Sequence, residues 1–115
     1  MNNGHTYHRI GFSHQEDFVF VSPGEIIFIQ SIHNNCLVYS TLQKSPFIIF
    51  ISLQEVINRI PEVYFCRVHK SFIVSLEHIK KMNKEKTRLF YQDNKIVPIG
   101  RSYLQPFLEK VIMLR

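Results

Sequence analysis

Phe65-Cys66-Arg67-Val68-His69-Lys70-Ser71-Phe72-Ile73-Val74 is the stretch on which the reading of this chain turns. Arg67, His69 and Lys70 stand beside the hydroxyl of Ser71, with apolar residues on both sides. Cations, an imidazole and a hydroxyl are costly to bury together in a core. The cheaper arrangement anchors the apolar residues inside and offers the polar ones to a partner, and a phosphate-rich partner suits these donors. Tyr64 to Val68 reads as a strand entering the stretch, and alternation along it turns Arg67 away from Cys66 and Val68. Facing that way, Arg67 can orient a carboxylate such as Glu62 or contact phosphate. His69 suits support of the loop better than titration. Ser71 can donate to phosphate or cap the next turn.

Outward from this stretch the chain is a series of short strands. Phe18 to Val21, Ile26 to Gln30, Leu37 to Leu42 and Phe47 to Ile51 are apolar runs of strand length, rich in Ile, Val and Phe. Ser22-Pro23-Gly24, Asn34-Asn35 and Gln43 to Pro46 break them, and Asn tolerates left-handed backbone in such turns. Ser52 and Glu55 have capping-box spacing and open a helix whose apolar face is Leu53, Val56, Ile57 and Ile60; Pro61 ends it. After the central stretch come strands at Ile79 to Met82, Thr87 to Tyr91 and Lys95 to Pro98. Asp93-Asn94 suits a tight type I′ turn between the last two. Leu104, Phe107, Leu108, Val111 and Ile112 predict a closing helix over 102–114, with Pro106 tolerated in its first turn. Strands joined by tight hairpins argue for antiparallel pairing.

The chain has 115 residues, 45% of them hydrophobic and 20% charged, which suits one small folded domain. Residues 1–14 are polar and read as a tail or linker, with a short strand near Arg9 to Phe12; residues 15–115 read as the domain. The longest apolar runs have about five residues, whereas a membrane helix needs roughly 20. There is no basic-then-apolar start of a signal peptide, so the expected location is cytoplasmic, with no membrane partner. Cys36 and Cys66 then read as buried thiols rather than a disulfide. The net charge of +5 is uneven. Up to Ile57 there are two basic and four acidic residues; beyond it there are twelve basic and five acidic. The second half is the one to face a polyanion.

Catalysis fits poorly. There is no phosphate-cradling glycine loop in a chain with four glycines. Cys66 and His69, three apart in a strand, are expected on opposite faces. His5, His8 and a cysteine have no zinc-ligand spacing, so no metal or cofactor is expected.

The central stretch resembles the signature of the LytTR family, the DNA-binding output domain of many bacterial response regulators. That signature reads roughly F-x-R-V-H-R-S-Y/F-I-V-N, with Ser75 here in place of the usual Asn. Glu25 to Ser31 resembles the family's opening strand, Asn34 to Val38 its G-N-Y-V loop and strand, Ser52 to Val56 its helix start, and Val97 to Tyr103 its V-P-V-S-R-x-Y ending. These five pieces stand in family order from about Phe18 to Leu108. The resemblance implies a mostly β fold: small antiparallel sheets stacked in an elongated sandwich, with one short central helix and a C-terminal helix. It implies binding of double-stranded DNA through loops in major grooves, without a helix-turn-helix.

The residues expected to read bases are Lys70, Arg101, and His33 and Asn35 of the first loop. Arg and Lys donate to guanine O6 and N7, and Asn pairs with adenine. Lys at position 70 is a point donor where the family often has Arg's planar fork, which softens its preference. Gly100 gives backbone freedom before Arg101, and Ser102 is expected to cap the closing helix and hold Arg101 at a rigid junction. Arg67, His69, Ser71, Lys80, Lys81, Lys84 and Lys86 are expected at phosphates, with Arg88 on the same charged hairpin. The partner implied is duplex DNA with repeated half-sites, bound by a homodimer, with a receiver domain in any longer chain. A protein-interaction module of a signalling system is the rival. RNA binding is a second rival if Phe65, Phe72, Phe90 and Tyr91 are exposed to stack bases.

Overall fold

The computed structural model describes residues 8–114. His5 and the start of the polar N-terminal segment lie outside the described residues. Ten strands run in order, β1 (Ile10–His14), β2 (Asp17–Val21), β3 (Ile26–Ile32), β4 (Asn35–Ser40), β5 (Phe47–Ile49), β6 (Phe65–His69), β7 (Phe72–Ser75), β8 (Lys81–Met82), β9 (Arg88–Phe90) and β10 (Ile96–Pro98). Helix α1 (Leu53–Arg59) follows β5, and α2 (Leu104–Leu108) closes the fold. All pairings are antiparallel: a β1–β2 hairpin, a three-stranded sheet in the order β10-β9-β8, and a five-stranded sheet in the order β5-β4-β3-β7-β6. β1 belongs to the segment whose composition reads as tail or linker, and it pairs with β2 from Ile10 to His14. No helix among the described residues is long and apolar enough to cross a membrane.

The central sheet is buried on both faces. One core lies between it, the β1–β2 hairpin and α1, and is centred on Val21, Ile26, Val38, Leu53, Phe65 and Ile73. The other lies between it, the three-stranded sheet and α2, and is centred on Phe28, Cys66, Val74, Leu89, Val97 and Phe107. This explains why Ile26 to Ile29 is apolar without alternation. A register shift between Ile26 and Phe28 sends Ile26 and Ile29 to the first core and both Ile27 and Phe28 to the second. A matching shift lies between Arg67 and His69, where Arg67 pairs with Ile73 and His69 with Phe72. Val68 is the extra residue.

Several elements differ from expectation in instructive ways. Ser52 caps α1 by accepting from the Glu55 amide at 3.2 Å, but the Glu55 carboxylate pairs with Arg59 one turn on rather than completing a capping box. In the β3–β4 turn the left-handed residue is His33, with φ 55°, not an Asn. Asp93 and Asn94 both have φ 60°, as a type I′ turn requires. The closing helix is much shorter than its apolar period. Arg101–Tyr103 is a 3₁₀ turn without a side-chain cap from Ser102, and α2 stops at Leu108. The amides of Lys110 and Val111 then bond three residues back, to Phe107 and Leu108. The second core accepts Leu104, Phe107, Leu108 and Val111, but Ile112 and Leu114 are 88% and 91% exposed. A short helix depends on tertiary packing, and among the described residues no core receives Ile112 or Leu114.

Candidate nucleic-acid interface

Three segments meet at one end of the sandwich. β3 reverses into β4 at His33–Asn34, and β6 into β7 at Lys70–Ser71. β3 and β7 are neighbours, and the Ser31 amide donates to the Ser71 carbonyl at 2.8 Å, so the two turns lie side by side. The third segment arrives from the other sheet. The Gly100 amide donates to the Val68 carbonyl at 2.7 Å, setting Arg101 beside β6. A Cβ at Gly100 would lie 3.0 Å from the Tyr103 ring and 3.6 Å from the His69 Cα, so the small residue serves close approach of the two segments.

At this end Lys70 and Arg101 are exposed, and so are His33 and Asn34. Asn35 is half-buried and paired with Ile32 in the ladder. Asn34 is therefore the amide side chain at the tip, a residue the sequence pattern passed over in favour of Asn35. The signal that could have found it is the two-residue reversal between the paired Ile32 and Asn35.

In the central stretch the fold itself uses the Arg67 guanidinium, the His69 ring and the Ser71 backbone. Arg67 does not reach the Glu62 carboxylate. It donates to Gln54 Oε1 at 2.9 Å, to the His69 carbonyl at 3.3 Å and to the Lys70 carbonyl. His69 supports the loop as expected: its Nδ1 accepts the Ser71 amide at 3.0 Å, and its ring packs edge-on to Phe72. Ser71 uses its backbone amide and carbonyl in these bonds. The extra residue at Val68 also places Cys66 and His69 on the same face of the sheet rather than on opposite faces. They still form no nucleophile–base pair, because the Cys66 thiol donates to the Arg67 carbonyl while His69 holds Ser71.

The charged hairpin divides in two. Its turn is built by Asn83, whose Oδ1 accepts the amides of Thr87 and Arg88, each at 2.9 Å. This leaves the Lys84 and Lys86 side chains free of that task. The Ile99 amide donates to the Thr87 carbonyl at 2.8 Å, which sets the turn beside the Gly100–Arg101 segment. Lys80 and Lys81 stand a strand length back, where Lys81 lies over the Phe90 ring at 5.1 Å. Among the described residues the only ion pair is Arg59 with Glu55. Lys70, Lys84, Lys86, Arg88 and Arg101 thus carry charge that no carboxylate neutralises among the described residues.

The rings proposed for RNA stacking are mostly inside. Phe65 and Tyr91 are buried and Phe72 packs on the second core. The Tyr91 hydroxyl donates to the Ser75 carbonyl at 3.2 Å, and burial pushes its phenol well above the ordinary value. Burial likewise raises both thiols. Desolvation in packed interiors is the main cause of these shifts; Cys66 adds to it at Tyr91, while Arg67 and Lys110 oppose it at Cys36 and Cys66.

Exposed cations and amides on adjacent turns at one end of a β sandwich define a binding domain suited to a polyanion. The comparisons with known proteins are specific about the class. The model of the LytTr DNA-binding domain matches residues 16–112. Two curated relatives, both described as sensory transduction protein LytT, come from Bacillus cereus and Bacillus anthracis; they are 23% and 22% identical over 93% of this chain. The chain spans 44% of the length of each. A solved LytTr DNA-binding domain from Bacillus cereus superposes with a TM-score of 0.75 at 22% identity, covering 90% of this chain and 95% of that one. The chain belongs to the LytTr DNA-binding domain family.

Proposed function

We propose that this domain binds double-stranded DNA sequence-specifically in bacterial transcription control, with the shared end of the sandwich facing the duplex. Lys70, Arg101 and the turn carrying His33, Asn34 and Asn35 enter major grooves and meet base edges. Lys84 and Lys86 contact phosphates and hold the register, with Lys80 and Lys81 further along the backbone. His69 and Ser71 keep the turn in shape for this contact. Two copies bind repeated half-sites, and DNA between them bends. In a longer chain a receiver domain controls the pairing, and the protein acts in the cytoplasm. The function is binding, with no reaction and no cofactor.

The observation that carries this proposal is the convergence of Lys70, Arg101 and the His33–Asn34 turn, three segments far apart in sequence, through the 2.7 Å and 2.8 Å backbone bonds of Gly100 and Ser31. The family membership supports DNA as the polyanion. A protein-interaction module is favoured by a different observation: Phe18 and Phe20 on β2 are 72% and 58% exposed. Selection of bound sequences from random duplex DNA at moderate salt decides between the two. Enrichment of a repeated motif with two half-sites is the expected result. Weak, salt-sensitive binding without a motif sinks the proposal and leaves a generic basic surface.

A further inference from the structure

We propose that Arg67 is a positioning residue that ties helix α1 to the Lys70–Ser71 turn and fixes the direction in which Lys70 approaches DNA. The inference rests on the DNA-reading function above. Arg67 shares its sheet face with Phe65 and Ile73, the face that α1 covers. Its three hydrogen bonds go to Gln54 on α1, the His69 carbonyl and the Lys70 carbonyl. Gln54 is itself held, donating from Nε2 to Asn58 Oδ1 at 3.2 Å one helical turn on. The chain of contacts is therefore Asn58, Gln54, Arg67, Lys70.

The Lys70 carbonyl and the Ser71 amide are two edges of one planar peptide unit. Arg67 holds the oxygen edge and His69 Nδ1 holds the N–H edge. With both edges fixed, the plane cannot rotate, and the Cα–Cβ direction of Lys70 is set before any duplex arrives. Lysine has a long flexible stem, so its selectivity depends on where that stem starts. Arg67 suits this task because a guanidinium is a rigid fork that serves several acceptors in one plane. Turned toward α1 and half-buried, it is poorly placed as a phosphate contact.

The test compares Arg67→Ala, Arg67→Lys, Gln54→Ala and Lys70→Ala on duplexes selected with the unsubstituted domain. Base preference is read at each position of the site, together with the slope of affinity against salt. Arg67→Ala is expected to flatten preference at the same base pairs that Lys70→Ala flattens, leaving the rest of the site and the salt slope unchanged. The Arg67→Ala/Lys70→Ala double variant should bind within about two-fold of Lys70→Ala, as for two residues acting through one contact. Arg67→Lys should not restore preference. Gln54→Ala should flatten the same positions less strongly. It lies on an exposed helix surface, so it remains informative if Arg67→Ala does not fold.

A salt slope shallower by about one unit in Arg67→Ala would make Arg67 a phosphate contact and overturn the proposal. So would an even loss of preference across the whole site, or a Gln54→Ala profile identical to that of the parent. Failure of the parent domain to enrich any motif overturns the DNA-reading function, and this inference with it, before any substitution is made.

Discussion

At one end of the sandwich the chain reverses at Asp93–Asn94; at the other it reverses at Lys70–Ser71, and the two turns are held by different means. The first closes on its own backbone. Both central residues adopt left-handed φ, and the Lys95 amide donates to the Gln92 carbonyl at 3.3 Å. Its nearby cation is engaged as well, since the Lys95 ammonium lies 5.0 Å from the centre of the Tyr39 ring. The second turn contains no left-handed residue. Arg67 and His69 of the preceding strand hold it from outside, and the Lys70 side chain forms no ion pair among the described residues. A turn that stabilises itself uses up its residues locally. A turn stabilised by its neighbours leaves its tip free for a partner.

The largest expected effect removes the platform under the interface. Phe65→Ala empties a site that is 1% exposed and should cost about 3–5 kcal/mol of stability, read by denaturant unfolding. A much smaller loss would mean that β6 is not the fixed base from which Lys70 is presented. Next, Arg101→Ala should cost about 1–3 kcal/mol of binding on the best duplex and relax base preference there. Titration of strong and weak sites checks this; equal losses on both would reassign Arg101 to the phosphates.

Smaller again is a direct contrast between cations at the two ends. Lys84→Ala should weaken every duplex alike and make the salt slope shallower by about one unit, whereas Lys95→Ala should leave that slope where it was. If both variants changed the slope equally, the whole second half would be one diffuse basic surface and the difference between the ends would vanish. The smallest effect concerns the thiols. Burial raises Cys36 and Cys66 above the ordinary thiol value of 9.0, so the folded chain keeps protons that the unfolded chain releases. Their contribution is intact below that value and is lost as pH rises through the raised one. Urea melts from pH 7 to 10 should fall more steeply for the parent than for a Cys36→Ala/Cys66→Ala variant. Rapid alkylation of Cys36 at pH 7 would show instead that β4 opens behind the His33–Asn34 turn.

The features legible in sequence are those whose cause is local. Asp93–Asn94 names its turn, Ser52 names its helix start, and the apolar runs name their strands, because each depends on its own backbone preference or on neighbours a few positions away. Lys70 and Arg101 were legible as exposed cations at junctions. The role of Arg67 was not, because its acceptors are backbone carbonyls and Gln54, an amide on α1 that strand alternation does not bring to mind. The face of His69 was hidden for a related reason. One extra residue at Val68 reverses the alternation, and nothing in the composition of the stretch marks it. The C-terminal helix was overread because periodicity lists apolar residues without knowing how much core remains to receive them.

The hydrogen bond between Gly100 and Val68 has a consequence for what kind of DNA can be read. It joins the two sheets at the point from which Lys70 and Arg101 both project, so the spacing between these side chains is a property of the folded domain rather than of a flexible linker. Such a domain works as a fixed calliper. Under the proposed contacts of Lys70 and Arg101 with a duplex, one base pair inserted between them adds about 3.4 Å of rise and some 34–36° of rotation. The calliper cannot widen to follow, so the DNA must change its twist or give up one jaw.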